Sequence, residues 1–489
     1  MLRLLDSLNL LRKFFLLTCY TLAFLALGII NPTQGLADGE KKPNFIFIFA
    51  DDQSYNTIGN LEVETPNLDR LIREGTTFTH AYNQGCWHEA VCIASRNMLN
   101  SGRFLWYAQR NAQNLETERI AGRFWSEYLK QAGYDTFFTG KWHLQADVQG
   151  AFDQVRHVRP GMPKDRPAGY NRPIQGQPDP WKPWEISEGG YWSGGKHWSE
   201  VVADDACDYL QKTSQRENPF FMYVAFNAPH DPRQSPKEFV DRYPLASVSL
   251  PVSYLPEYPY KDAIGCGRLL RDEYLAPFPR TPYAVKVNRQ EYYAIITHMD
   301  IQIGRILDAL EQTDTAESTY VIFSADHGLA VGNHGLMGKQ NMFDHSVRVP
   351  FIIRGPQVAA GHNNSGSIYL QDAMPTTLEL AGIKKPTHVQ FRSILPLLKG
   401  ERKENYDAIY GAYKKSQRMI TADGYKLILY PSIKKVLLFD VRNDPNEMTD
   451  LSARSKHAAR VKQLFARLLE LQKQTGDPLD LKRFYPDLI

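Results

Sequence analysis

Three short stretches, Asn44–Ala50, 219–226 and Thr319–Ala325, run apolar almost without interruption and are rich in β-branched and aromatic residues. Continuous rather than alternating hydrophobicity over six to eight residues predicts parallel strands buried on both faces. Segments 135–139 and Phe351–Arg354 add two further strands. Between them the apolar spacing shifts to three and four residues. This predicts helices over 65–75, where Thr65 and Gly75 read as caps, and over 94–99 and 124–131, the latter stopped by Gly133. Further helices are expected over 201–213 and 289–312. The 289–312 helix carries an apolar face of Ile295, Met299, Ile303, Ile306 and Leu310. Past Pro386 the pattern changes to short alternating runs at 407–413, 417–421, 426–430 and 435–439. Turns fall at Asp423-Gly424 and near Ser432, and a helix closes the chain over 457–474. Such alternation predicts an antiparallel sheet. The expected fold is therefore an α/β protein, a mostly parallel α/β/α sandwich with a smaller C-terminal antiparallel sheet plus helix. Its boundaries are 38–385 and 386–489. Two stretches break the rhythm. Residues 150–200 read as a long irregular loop carrying Trp181, Trp184, Tyr191, Trp192 and Trp198, aromatic faces suited equally to stacking on sugars or to packing the loop. Residues 232–287 read as a Pro- and Tyr-rich excursion.

Composition narrows the class. At 43% hydrophobic the chain can bury a large core, and a net charge of +3 is too mild to imply a nucleic-acid partner. Arg3, Arg12 and Lys13 precede an apolar run over 14–30, and small residues at 33–37 offer a cleavage site. Residues 1–37 thus read as a secretory signal peptide. The run is slightly long for a signal core and slightly short for a spanning helix, so an uncleaved anchor is the alternative. The expectation is an exported protein, periplasmic or secreted, without a stable membrane span after signal cleavage.

The chemistry-bearing residues cluster where predicted strands end. Asp51 and Asp52 follow the first strand. Gly140-Lys141-Trp142-His143 follows the 135–139 strand, Ala228-Pro229-His230 the next, and Asp326-His327-Gly328 the fourth, with Lys339 soon after. Strand carboxyl ends are where open α/β sheets place their sites. Adjacent carboxylates after a buried strand repel unless a cation or donors compensate. Cys92 stands before a predicted helix whose N–H groups favour an anion, and Arg96 is one turn on. Taken singly, each feature has a bland reading as a buried cysteine, loop acids or surface Lys and His.

Taken together they resemble one family. Cys92-Ile93-Ala94-Ser95-Arg96, followed after four residues by Ser101-Gly102-Arg103, resembles the signature of type I sulfatases, with Ser101 in place of the threonine. The Thr65–Gly75 segment, Gly140 to Leu144, Ala228 to His230, Asp326 to Lys339, Met342 to Pro350 and Asp372 to Gly382 resemble the family's other motifs, in its order, across roughly residues 44–450. The resemblance implies an alkaline-phosphatase-like fold and hydrolysis of a sulfate ester. It implies that Cys92 is oxidised by a formylglycine-generating maturation enzyme to 3-oxoalanine (formylglycine), whose hydrate is the nucleophile. It implies one divalent cation, Ca2+, held by Asp51, Asp52, Asp326, His327 and position 92. Many members have asparagine where this chain has His327, and an imidazole suits a hard calcium ion less well than oxygen. By the same resemblance Arg96 lowers the nucleophile's pKa, Lys141 and Lys339 hold sulfate oxygens, His230 protonates the leaving alcohol, and His143 takes the proton that restores the aldehyde. Trp87, His88, Asp344 and His345 complete the set as substrate-binding candidates, and a sulfated saccharide is the expected substrate. Two alternatives stand beside this reading: a phosphonate or phosphodiester hydrolase of the same superfamily, and a non-catalytic glycan-binding relative. With Cys19 in the signal and Cys92 in the site, Cys86, Cys207 and Cys266 leave an odd remainder, against a disulfide framework but open to one bridge.

Overall fold

The structure, a computed structural model, describes residues 41–164, 166–212 and 217–489; the expected signal segment 1–37 lies outside the described residues. Its centre is an eight-stranded sheet made of β1 (Asn44–Ala50), β2 (Thr76–Phe78), β3 (Asp135–Lys141), β4 (Gln154–Arg159), β5 (Phe220–Ala225), β6 (Thr319–Ala325), β7 (Phe351–Arg354) and β8 (His362–Asn364). The strand order is β8-β2-β7-β6-β1-β5-β3-β4. The run from β6 to β4 is parallel throughout, with Ile46 of β1 aligned to Met222 on one side and Val321 on the other. Strand β7 alone runs against both its neighbours. All seven residues of β1, and of β6, are buried, as unbroken apolar runs require.

Two groups of helices flank this sheet. One comprises α1 (Pro66–Glu74), α4 (Trp198–Leu210) and α5 (Pro282–Glu311); the other comprises α2 (Val91–Ser101), α3 (Trp125–Gln131) and α6 (Ala373–Leu380). Trp125 of α3 meets the Phe47 ring edge-on, with centroids 5.0 Å apart. The expected apolar face of α5 is wholly buried. This helix begins at Pro282, about two turns earlier than the hydrophobic spacing indicates, because Thr281 caps it through the Ala284 N–H at 3.1 Å and Pro282 suits the first turn. Helix α1 ends before Gly75 as expected, but Thr65 makes no side-chain cap. The Asp300 carboxylate of α5 serves instead, accepting from Asn67 N and Leu68 N at 3.0 and 2.8 Å.

A second sheet has the order β12-β11-β10-β9 and then the short strand Gly85–Cys86, where β9 is Ile409–Tyr413, β10 Gln417–Ala422, β11 Tyr425–Tyr430 and β12 Lys435–Asp440. Strands β9 to β12 are antiparallel, and α7 (Ala458–Thr475) packs on them through Leu464, Phe465 and Leu468. Gly85 sits so close to β9 that a Cβ there would lie 2.0 Å from the Ala412 carbonyl oxygen. The second sheet thereby grips the chain just before Cys92.

For residues 150–200 one expectation changes and one open alternative closes. Strand β4 lies inside the segment read as irregular. It is an edge strand of half-buried and exposed residues, so no apolar run announces it. The aromatic cluster is mostly interior: Trp181, Tyr191, Trp192 and Trp198 are buried, and Tyr191 stacks on His197 at 5.0 Å. They pack the loop. Cys86, Cys92, Cys207 and Cys266 are all free thiols, which removes the bridge left open above.

Candidate active site

Three neighbouring strand ends, those of β6, β1 and β5, build the floor of the site. Asp51 N donates to the Ala228 carbonyl at 3.0 Å, and Asp326 N donates to the Ala50 carbonyl at 3.1 Å. Asp52 has φ of 66°, a left-handed conformation uncommon for a residue with a side chain. In that conformation its N–H points at Asp326 Oδ1, 3.1 Å away. One ligand-type atom from each of Asp51, Asp52, Asp326 and Cys92 lies within 4.8 Å of the others, and all four residues are buried.

Helix α2 brings Cys92 over this floor. It starts at Val91, so Cys92 lies in its first turn rather than ahead of it. Arg96, fully buried, donates from Nε to Asp326 Oδ2 at 3.1 Å and from Nη1 to the Lys141 carbonyl at 2.7 Å, while its guanidinium lies 4.9 Å from the Phe49 ring centre. Lys141 Nζ pairs with Asp51. Lys339 Nζ donates to Asp52 Oδ1 at 2.6 Å and stands 3.4 Å from the Cys92 sulfur. Three buried carboxylates are thus met by three buried cations, the condition under which such charges are tolerated.

The titration directions follow from this packing. Burial pushes Asp51 up to about 6 and Asp52 well above the usual carboxylate range, with the neighbouring acids adding to both. Against the same burial, Arg96, Lys141 and Lys339 hold Asp326 below it. Burial, then Asp51, raises the Cys92 thiol well above its ordinary value, so it is protonated at neutral pH and a poor nucleophile as it stands.

His230 faces the carboxylates from the end of β5. Its Nδ1 donates to the Asp231 carbonyl at 2.7 Å, which leaves Nε2 facing Asp52 Oδ2 at 3.6 Å. Burial, then Lys339 and Lys141, press its pKa well below 6.5. His143 follows Lys141 by two residues with φ of 57°, and its Nδ1 has no hydrogen-bond partner. It rests against Gly161, where a Cβ would come within 2.2 Å of Nε2.

The structure therefore gathers Asp51, Asp52, Cys92, Arg96, Lys141, His230, Asp326 and Lys339, with His143 beside Lys141. It does not bring every candidate into that group. His327 is buried, but its Nδ1 faces the Gly328 carbonyl at 3.1 Å and it stands outside the four-residue cluster. His88 is half-buried against Trp87, and its Nδ1 accepts from Ala90 N at 3.0 Å at the start of α2. Asp344 pairs with the buried Lys426 and with Arg348, and His345 is bonded to Ser346 and His334. Sequence reasoning missed Asp231 and Asp272. Asp231 Oδ1 lies 3.3 Å from His230 Nδ1, and Asp272 lies 3.9 Å from Lys339 Nζ. Adjacency to His230 was the available signal for Asp231; Asp272 sits in a stretch with none.

The cluster suits a hard divalent cation. Carboxylate oxygens are the ligands such ions take, and Asp51 Oδ1 is buried without any hydrogen-bond partner.

Comparison with known proteins agrees with this geometry. The sulfatase family model matches residues 43–383, and the model for the C-terminal part of N-sulphoglucosamine sulphohydrolase matches residues 332–474. An N-acetylglucosamine-6-O-sulfatase of Bacteroides thetaiotaomicron is 26% identical, the alignment covering 92% of this chain and 90% of that one. An ulvan-active sulfatase of Formosa agariphila is also 26% identical, over 92% and 84%. Among solved structures, one of a protein in complex with its substrate D-glucosamine-2-N,6-O-disulfate superposes with a TM-score of 0.69 at 23% identity. It covers 90% of this chain and 99% of that one, which establishes a shared fold. With the signature cysteine set over three strand-end aspartates, the chain belongs to the sulfatase family, within the alkaline-phosphatase-like superfamily, and is a sulfuric ester hydrolase.

Proposed function

We propose that this enzyme removes sulfate from a sulfated saccharide, with Cys92 converted to formylglycine and a calcium ion bound at Asp51, Asp52 and Asp326, His327 being the next candidate ligand. The observation that carries the reading is the Cys92 sulfur set 3.4 Å from Lys339 Nζ above the buried aspartates. The thiol's raised pKa speaks against a thiolate nucleophile, which supports the conversion. Formylglycine supplies a hydrated aldehyde as oxygen nucleophile, and the cation supplies charge that favours its deprotonation.

The chain's own groups then have distinct tasks. Lys339, beside position 92, and Lys141, paired with Asp51, neutralise sulfate oxygens as charge builds. Arg96 keeps one buried Nη2 without a partner, a donor free for an oxygen at that position. His230 presents Nε2 to the leaving oxygen and delivers its proton. The arriving sulfate anion offsets the two lysines that depress this histidine, so substrate binding itself favours the charged, donating form. His143, with an unpartnered Nδ1, takes up a proton as sulfate leaves.

Residues 38–385 form the catalytic part in this reading, and 386–489 a smaller unit whose sheet and helix share an apolar core. The basic, apolar N-terminus and the saccharide-acting relatives support export to the periplasm or beyond the cell. Among the described residues no helix is long and apolar enough to cross a membrane.

Protein from a host able to mature sulfatases should yield a Cys92 peptide carrying the aldehyde and one stoichiometric divalent ion. It should desulfate members of a panel of defined sulfated saccharides, and Cys92→Ala should not. Full turnover by Cys92→Ala, or turnover confined to activated aryl sulfates, would refute the proposal.

A further inference from the structure

Arg233 keeps two buried donors that no hydrogen-bond acceptor among the described residues meets. It lies three residues beyond His230 on the same loop and is 3% exposed, the same as His230. Its Nη1 donates to Asn288 Oδ1 at 3.1 Å. Its Nε and Nη2 are buried and have no hydrogen-bond partner. The adjoining acids feel its charge but make their ion pairs elsewhere: Glu291 pairs with Arg172 at 2.8 Å and Asp231 with Arg271 at 2.9 Å. Just beyond, Gln234 Nε2 and Ser235 Oγ are also buried without partners.

A buried guanidinium short of an anion is costly, and proteins keep such groups paired. The two idle donors are also a matched set. Nε–H and Nη2–H lie along one edge of the planar guanidinium and meet two oxygens of a single carboxylate or sulfate side by side. The guanidinium is tied to the site through one tyrosine. The guanidinium carbon is 5.4 Å from the Tyr292 ring centre, and Tyr292 Oη donates to the Asp52 carbonyl at 2.7 Å. His230 Nε2 faces the carboxylate of the same Asp52. Arg233 is thus linked through Tyr292 to the same Asp52 that His230 faces.

We infer that Arg233 is a specificity-determining residue that receives a second oxyanion of the substrate, a uronate carboxylate or another sulfate, next to the ester being cleaved. The assignment rests on the saccharide sulfatase reading and sharpens it: the preferred substrate carries two anionic groups on one or adjoining sugars. The first, at Cys92, is hydrolysed. The second is held by the Arg233 edge and fixes which ester enters.

The test is a ratio of kcat/KM values for matched substrates: a monosulfated neutral saccharide, the same ester beside a uronate, and the same ester with a second sulfate. The wild-type enzyme should favour at least one dianionic partner by about 10- to 100-fold, the worth of hydrogen bonds between charged groups. Arg233→Gln should collapse that ratio toward one. Arg233→Lys keeps the charge without the paired donors and should lose most of it. Which arm responds identifies carboxylate or sulfate. A wild-type ratio at or below one overturns the inference without recourse to any variant. So does a ratio unchanged in the variants when melting curves show them folded. If no saccharide is desulfated, the functional reading fails separately, and aryl sulfates with and without a carboxylate still measure the Arg233 ratio.

Discussion

Lys426→Met should unfold the protein more readily, and the size of the loss should depend on pH. Lys426 on β11 is fully buried. Its Nζ pairs with Asp344, lies 2.7 Å from Glu447 Oε1 and donates to the Met342 carbonyl at 3.2 Å. Glu447 Oε2 in turn accepts from Asp344 N at 2.7 Å, and Arg348 approaches Asp344 at 3.4 Å. Removing the ammonium leaves two buried carboxylates with one loosely engaged arginine. Breaking a buried pair from one side costs about 3–5 kcal/mol. At about 2.1 cal/mol/K per residue over residues 42–489, the unfolding entropy is about 0.9 kcal/mol/K, so Tm should fall by about 3–5 °C at pH 8.

The sign of the pH effect follows from Glu447. Burial already pushes its carboxyl up to about 7, with Lys426 the main restraint. Without Lys426 the folded-state pKa rises further above the unfolded value. The variant then holds a proton that the unfolded chain releases, a contribution present at low pH and lost as pH rises through the folded pKa. Each unit below that pKa should recover about 1.4 kcal/mol of the deficit. Calorimetry of wild type and variant at pH 8 and pH 6 gives the comparison. A shift below about 1 °C, on the same entropy scale, or one identical at both pH values, would refute the reasoning. The network matters to catalysis because residues 344–347 brace the site: the Ser346 carbonyl accepts from Gly328 N at 2.8 Å and the His345 carbonyl from Ser54 Oγ at 2.9 Å.

Two further outcomes are expected. His230→Ala should lose about a hundredfold or more in kcat/KM on a saccharide sulfate, the usual worth of a general acid, and far less on a nitrophenyl sulfate whose leaving group needs no proton; equal losses would mean that His230 orients the site instead. His197 is fully buried, donating from Nε2 to the Gln234 carbonyl at 2.9 Å and accepting from Ser199 N at its Nδ1 at 3.2 Å, so burial holds its pKa well below 6.5. The folded state refuses a proton that the unfolded chain accepts, so this contribution is whole above 6.5 and fades as pH falls, by about 1.4 kcal/mol per unit. Denaturant midpoints between pH 7 and 5 should fall less steeply in His197→Asn, and an unchanged slope would count against it.

The site was legible in sequence wherever function rides on a strand end. Asp51, Lys141, His230 and Asp326 each follow an apolar run, and the run predicts both the strand and the residue it delivers. The helix carrying Cys92 and the antiparallel second sheet were legible for the same reason, since local spacing expresses which face is buried. What depends on a distant partner was not. Strand β4 is an exposed edge with no apolar run. The side-chain cap of α1 comes from Asp300, more than two hundred residues away, while Thr65 at the expected position accepts the Asp69 N–H only through its carbonyl. Trp181 and Trp192 look the same in a sequence whether they pack a loop or line a groove, and only burial separates the two.

Arg233 marks the far limit of such reading. In sequence it is one of many arginines, in a loop without periodicity. Its importance lies in what its neighbours do not do: Glu291 has turned to Arg172 and Asp231 to Arg271, leaving one edge of one guanidinium unanswered. A pairing can leave a trace in spacing, as Cys92 and Arg96 do across one helical turn. An unmet pairing leaves none, because it is a property of the whole packed interior. The proposed catalytic residues of this enzyme can therefore be named from motifs alone, whereas the residue proposed to choose its substrate emerges only when every buried donor is asked for its acceptor.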